Sequence, residues 1–590
     1  MDITVQANAL KLVGQLFDRK SSTQPIIPYL PQKTAFLNHV QQQPFPSASP
    51  ESQGIPSAYL ARFIEELQTD ETLDLHTLMI LKNGVIIAET RFGAYDPHTW
   101  TLSHSFCKSI TGLAIGMLID DGLLRLEDHL VDLFAKRSNV LSRLTQKNIT
   151  VAHLLTMSSG VVFNEIGAIT ETDWVKTFLE SGVRFEAGSE FAYNCMNSYL
   201  LSAIVKEITG QGLMEFLQVR LFQPLAIENV HWEVCPKGIE KGGWGLYLAP
   251  EDMAKIGQLY LQKGIWKSQQ IVSEQWIREA TSTKMIAPKT TGEYNYGYHI
   301  WVGRQEHSFL LNGMFGQNVI GFPETQILVV TTGGIGELFQ LGGFFRVLHR
   351  YFKAAYHPGN FLPENPEAYL RLKRLQHLPG HGWNQAEAVA AVPTFDSQDG
   401  LPQACLALDR RVYTFVSERA DSVGLFPLIA QIMQNNYTKG VRRLKFQITD
   451  YVFYLIVEEE DESYTLPIGF HTDRFTTLNL HGEPYLVGSH GQFALDEDEH
   501  LVLKLRCSFL EQSGSRLIKI YFNGNQLRVK FSESPGKEIL LEGLSSVVEA
   551  VSKKKFLEAV IARFDGDYLV YRIESSFDPV LSAKLEDTKD

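Results

Sequence analysis

Apolar positions in the chain from Cys107 to Gly122 recur at helical spacing. Ile110, Leu113, Ala114, Met117 and Leu118 fall on one stripe, and Ile115 and Ile119 fill its sides. The pattern predicts a helix from Ser105 that is buried on most faces, capped by Ser103 and stopped by Gly122. Before it, residues 77–93 alternate around Asn83-Gly84 and predict a hairpin. After it come helices near 197–210 and over 250–264, the latter with Pro250 in its first turn and Gly264 at its stop. Strand patterns return in "YNYGYHIWV", "SFLLNGMFGQNVIGFP" and "ILVVTTGG". This order predicts an α/β (α+β) half with an antiparallel sheet flanked by helices. Prolines and glycines cluster between His357 and Ala388, and the domain boundary is placed there: residues 1–375, then 376–590. Beyond it, period-two alternation dominates at Leu444, Leu501 and Leu517, with a hairpin signal at Asn523-Gly524 and one helix in "LFPLIAQIMQNN". The second half is predicted to be all-β, a lipocalin-like barrel or sandwich.

Composition narrows the function classes. The 590 residues are 44% hydrophobic and 21% charged, as in a soluble globular protein with room for two cores. A net charge of −13 argues against nucleic acid or an anionic membrane as the main partner. No apolar run is long enough to span a bilayer, and the first residues lack the basic start of a signal peptide. Cys107, Cys195, Cys235, Cys405 and Cys507 are scattered and odd in number. The expectation is a cytoplasmic protein with no structural metal and no cofactor. A phosphate-binding loop, H-E-x-x-H and G-x-S-x-G are all absent from the sequence.

The candidate chemistry sits at the start of the buried helix. Ser105 and Lys108 are three residues apart and share a helical face. Ser-x-x-Lys also occurs at Ser534/Lys537, in a turn-like stretch, and at Ser552/Lys555, on a charged helix face, so spacing alone decides nothing. Context does: the helix dipole disfavours a cation in the first turn, and burial disfavours any charge. A serine nucleophile gains a neutral amine from that placement. It would also need an oxyanion site and a proton-transfer partner. Two stretches offer them: the loop before the helix near Asn197, which holds Tyr193, and the strands around Gly313 and Gly316.

With these stretches in place, the chain resembles the serine β-lactamase-related superfamily, which holds class C β-lactamases, D,D-peptidases (penicillin-binding proteins), family VIII esterases and 6-aminohexanoate-dimer hydrolases. The resemblance runs from Ser49 to Gly333 through "SPESQGI", "HSFCKSITG", "NITVAHLLTMSSGV", "GSEFAYNCMNSYLLS", "GLYLAPEDMAKIGQLYLQKG" and "NGMFGQNVIGFP". It implies a β-lactamase-like fold. It also implies Ser105 as nucleophile, with Lys108 and Tyr193 as its proton-transfer partners. Where the family has Tyr-x-Asn, this chain has Cys195, and Asn197 stands two residues further on as a substitute. The third motif reads Leu311-Asn312-Gly313. The resemblance assigns the oxyanion donors to the amides of Ser105 and Met314. Which of Lys108 and Tyr193 is the base in acylation stays open.

The neighbours have plainer readings. Cys107 is a packed thiol, His104 is an exposed residue or a cleft wall, and Trp174 is core or acyl pocket. Leucine at 311 cannot pair with a substrate carboxylate. The expected function is therefore a carboxylesterase or amidase acting on small neutral esters or amides. A D-amino-acid peptidase or weak β-lactamase is the alternative enzyme, and a catalytically silent binding or sensor protein the alternative class. The second half shows no nucleophile–base set.

Overall fold

The computed structural model describes residues 25–38, 41–303, 308–353, 355–380, 401–416, 423–536 and 577–586. Lys537 and Ser552/Lys555, and with them the two other Ser-x-x-Lys readings, lie wholly or partly outside these residues, as does the sequence start. The chain divides into two compact units. One covers residues 36–381. The other joins the C-terminal residues to the segment that ends at Ala35.

The first unit is built on an eight-stranded sheet. Its strands are β1 (Leu75–Lys82), β2 (Val85–Phe92), β3 (Asn295–Tyr296), β4 (Trp301–Val302), β5 (Phe309–Gly313), β6 (Gln317–Phe322), β7 (Ile327–Gly333) and β8 (His377–Leu378), in the order β8-β2-β1-β7-β6-β5-β4-β3. All neighbours are antiparallel except β8 with β2. The β1–β2 turn forms at Asn83 and Gly84, both at positive φ (55° and 73°), as that dipeptide favours. Side chains alternate between two cores. Met79, Leu81, Leu311 and Val319 face one side with α2 (Cys107–Asp120), α5 (Cys195–Thr209) and α6 (Pro250–Leu261). Leu78, Ile80, Leu310 and Ile320 face the other, with α1 (Ser57–Thr69), α7 (Gly343–Tyr351) and α8 (Pro366–Arg374). Two shorter helices are α3 (Val140–Thr145) and α4 (Trp174–Glu180). Helix α6 keeps Pro250 at its first position, and Gly122, Gly210 and Gly264 take positive φ just past three helix ends.

The second unit is an antiparallel ten-stranded barrel, nearly closed. Its strands run from β9 (Val412–Phe415) through β10 (Val441–Thr449), β11 (Val452–Glu459), β12 (Ser463–Ile468), β13 (Arg474–Leu480), β14 (Glu483–Leu495), β15 (Leu501–Phe509), β16 (Ser515–Asn523) and β17 (Gln526–Ser534) to β18 (Val580–Leu585). The order is β12-β11-β10-β9-β18-β17-β16-β15-β14-β13. The β16–β17 hairpin differs by one residue from the sequence reading. Asn523 pairs with Gln526, so Gly524-Asn525 is the loop, with φ of 55° at Gly524. Glycine first is the order a II′ turn uses, and it leaves Asn523 in the strand. Two helices, not the one expected, lie against the barrel core: Gln403–Leu408, through Cys405 and Leu408, and α9 (Leu428–Gln434), its first amides held by the Glu533 carboxylate. Among the described residues no helix is long and apolar enough to cross a membrane.

Candidate active site

Ser105 does not open the α-helix. It sits in a 3-10 turn, His104–Phe106, and α2 begins at Cys107. Ser103 is not its cap: its amide and its hydroxyl both donate to Leu246 O, each at 2.8 Å. Residues 101–102 pair with the 246–248 strand, so the edge of that small sheet draws Ser103 away from the helix. Every residue from Thr101 to Leu118 is buried except Ser105. His104 is buried too, against the expectation of an exposed residue; its ring packs edge to face on Phe315. Cys107 is a packed thiol over Gly242 O, and Trp174 is core, its indole N–H donating to Glu171 O.

Lys108 lies one turn on and is buried. Its Nζ is 2.8 Å from Ser105 Oγ, 2.6 Å from Gly243 O and 3.3 Å from Cys195 Sγ. Among the described residues it makes no ion pair. Gly243 O only accepts, so one amine proton points there. The contact to Ser105 leaves room for a neutral amine to accept the hydroxyl proton. Gly243 is required by packing: a Cβ there would stand 2.8 Å from Cys195 O. The "GGWG" run is the sequence signal for this close approach, and the spacing analysis missed it.

Tyr193 and Cys195 flank the start of α5. Asn194 caps the helix at Met196 N and donates to Val161 O and Phe163 O. This fixes its two neighbours. The Tyr193 ring lies 5.0 Å from Lys108 Nζ and stacks on Trp301, with Phe339 against its edge. Its hydroxyl lies near Ser105. Burial, helped by Cys195, holds the phenol well above its ordinary range; Ser105 only partly offsets this. Cys195 occupies the place given to Asn197. Its thiol touches Lys108, and burial pushes it up to about 11. Asn197 is instead fully buried, accepting from Ser159 Oγ at 2.7 Å and donating to Met157 Sδ. Two residues further along a helix is a 200° rotation, so it faces away from Ser105.

The end of β5 closes the third side. A Cβ on Gly313 would lie 2.2 Å from Ser103 O and 3.2 Å from Phe106 N. The glycine therefore marks the approach of the strand to the Ser105 turn. Met314 follows it directly. Leu311 points into the core with α2 and is 1% exposed. Asn312 alternates to the opposite face, donating to Asn318 Oδ1 and accepting from Gln340 Nε2. Among the described residues no group of three or more His, Cys, Asp or Glu is placed to hold a metal ion.

The β-lactamase family profile matches residues 48–332, the stretch that carries Ser105, Lys108, Tyr193 and Gly313. That part of the chain belongs to the serine β-lactamase-related superfamily. The 6-aminohexanoate-dimer hydrolase of Paenarthrobacter ureafaciens is 23% identical over 301 residues, 46% of this chain and 74% of the relative. EstCE1, described as a hydrolase with promiscuous acyltransferase activity, aligns over 51% of this chain and 99% of its own at 17% identity, with a TM-score of 0.43. A penicillin-binding protein from Bacillus halodurans aligns over 49% and 97% at 20% identity, with a TM-score of 0.38. Within this hydrolase superfamily, Cys195 and Leu311 are the departures that bear on the site.

Proposed function

We propose that the chain is a serine hydrolase that cleaves small neutral esters or amides through an acyl-enzyme on Ser105. One observation carries the reading: the one side chain of a buried helix start that still reaches the surface is a half-buried hydroxyl, 2.8 Å from a buried amine and beside a half-buried phenol. In the reaction Ser105 Oγ attacks the acyl carbon and its proton passes to Lys108 Nζ. Tyr193, kept protonated by burial, lies near Oγ and relays a proton to the leaving group. It is not the standing base, since a phenol held well above its ordinary range is neutral at pH 7. The carbonyl oxygen, negative in the tetrahedral intermediate, takes the amides of Ser105 and Met314. The leaving alcohol or amine departs protonated, and water then attacks the ester on Ser105 by the reverse path. Leu311, buried and uncharged, favours uncharged substrates over carboxylates.

The test is covalent labelling. A fluorophosphonate should add one mass equivalent to the full chain and none to Ser105→Ala, whose circular dichroism stays unchanged. An adduct on Ser105→Ala overturns the assignment. Faster turnover of a penicillin than of a short p-nitrophenyl ester overturns the substrate class.

A further inference from the structure

Helix α3 presents an apolar knob to solvent. Val140, Leu141 and Leu144 are 76%, 54% and 69% exposed, and they share one side of a six-residue helix. The helix is nonetheless firmly seated. Asn139 caps it at Ser142 N, Ser142 is fully buried, and Gln146 donates to Phe178 O and Ser181 O at 2.8 Å. Exposed Lys136, Arg137, Arg143 and Lys147 surround the knob. The acidic groups nearby include Asp132, 3.7 Å from Arg143, Glu180, which accepts from Asn139, and Asp173 and Glu207, which line one hollow with Arg137. Lys136 and Lys147 make no ion pair among the described residues, so two cations beside the knob are left for an outside partner although the whole chain carries −13.

We propose that this face docks on an anionic lipid bilayer, with Val140, Leu141 and Leu144 entering the headgroup–acyl boundary and the four cations meeting the lipid charge. A knob this small falls well short of the ~800 Å² that each partner of a stable protein interface buries. Shallow insertion of a few aliphatics ringed by Lys and Arg is instead how peripheral proteins hold a bilayer. Docking would bring the hydrolase to esters that partition into lipid.

The experiment uses the full chain with vesicles of phosphatidylglycerol and phosphatidylcholine in equal parts, or of phosphatidylcholine alone, at low salt. The protein should sediment with the anionic vesicles, stay free of the neutral ones, and dissociate as salt rises. Leu141→Ser/Leu144→Ser should lower partitioning at least about tenfold. Lys136→Glu/Arg137→Glu should lower it by about fivefold or more per charge. Both variants should hydrolyse a soluble ester at the wild-type rate. Wild-type protein that ignores anionic vesicles, equal binding to neutral vesicles, or variants that bind like wild type overturn the proposal. So does a dimer in sedimentation velocity that Leu144→Ser dissolves, which would give the knob to a second copy.

Discussion

The rings of His104 and Phe315 meet edge to face at 4.9 Å, and both residues hold positive φ, 49° and 65°. Left-handed backbone in a non-glycine residue costs on the order of 1–3 kcal/mol. Here the two strained residues adjoin Ser105 and Met314, the proposed oxyanion donors. The ring contact holds each turn in place against the other. Phe315→Gly relieves the backbone but removes the contact. The expected outcome is an unchanged or slightly higher melting temperature together with a drop in kcat of about tenfold or more. Pre-steady-state acylation with a p-nitrophenyl ester reads it, and an unchanged acylation rate removes the clamp.

Gly313 tests the same site from the strand. An alanine there must displace Ser103 O from 2.2 Å, moving the turn that carries Ser105 or the strand that carries Met314. A misplaced donor costs on the order of 100-fold in rate. Overpacking costs roughly 1–3 kcal/mol of stability. Gly313→Ala should therefore stay folded, by circular dichroism, while losing about 100-fold in fluorophosphonate labelling rate.

Lys108 sits among Ser105 Oγ, Cys195 Sγ and Gly243 O with no space for a fork of nitrogens. Arginine also keeps its proton at any working pH. Lys108→Arg should be nearly as inactive as Lys108→Ala, and Cys195→Ser, which keeps a polar atom beside Nζ, should retain most activity. An arginine variant near the wild-type kcat/KM would take the proton-transfer role from Lys108.

Much of this was legible in the sequence because period and punctuation act locally. The buried helix, the Asn83-Gly84 hairpin, and Pro250 with Gly264 each declare themselves within a few residues. Ser105 and Lys108 share a face because spacing alone fixes that. What spacing could not show depended on partners distant in sequence. Ser103 reads as a cap until Leu246 captures it. Asn197 reads as a substitute ligand until the Asn194 cap starts the helix two residues earlier and puts Cys195 in its place. His104 reads as exposed until Phe315 covers it. The barrel's alternation was plain, but the hairpin register moved by one because Gly524 suits the first loop position as well as the second.

Acid and base should act on the two units in opposite directions. Burial pulls His104 and His299 down to about 3. Both stay neutral in the native chain, whereas unfolded histidines protonate near 6.5. As pH falls from 6.5 toward 3 the unfolded state gains protons that the native state refuses. Each histidine then costs the first unit about 1.4 kcal/mol per pH unit. Glu459 is the reverse case: burial raises it to about 7. Its contribution is full below about 4.5 and is lost as pH rises through 7. Calorimetry should find the first unit's transition lower at pH 5 than at pH 8. Glu459→Gln should raise the barrel's transition at pH 8 and leave it little changed at pH 5. Transitions that shift together with pH would deny the separate origins.

The segment before the first unit, residues 25–35, belongs with the barrel. Lys33, buried, places Nζ 2.9 Å from Glu511 Oε1 and also donates to Pro484 O. The amides of Gln32 and Lys33 both donate to Glu483 Oε1, and Asn435 donates to Ile27 O. Residues 25–35 therefore complete the barrel unit although some 365 residues separate them from its first described residue, Leu401. Removing the ammonium takes from buried Glu511 the cation it pairs with, leaving it the Leu486 amide among its partners, and costs up to about 3–5 kcal/mol. For a unit of this size that lowers the melting temperature by about 10 °C. Lys33→Met should lower only the barrel's transition, and Lys33→Met/Glu511→Leu should recover part of the loss, because no charge is then stranded. A chain beginning at Phe36 should behave like Lys33→Met or worse, while Ser105 still takes the fluorophosphonate. If Lys33→Met melts like the wild type in both transitions, the strap is an ornament on the barrel and not part of its fold.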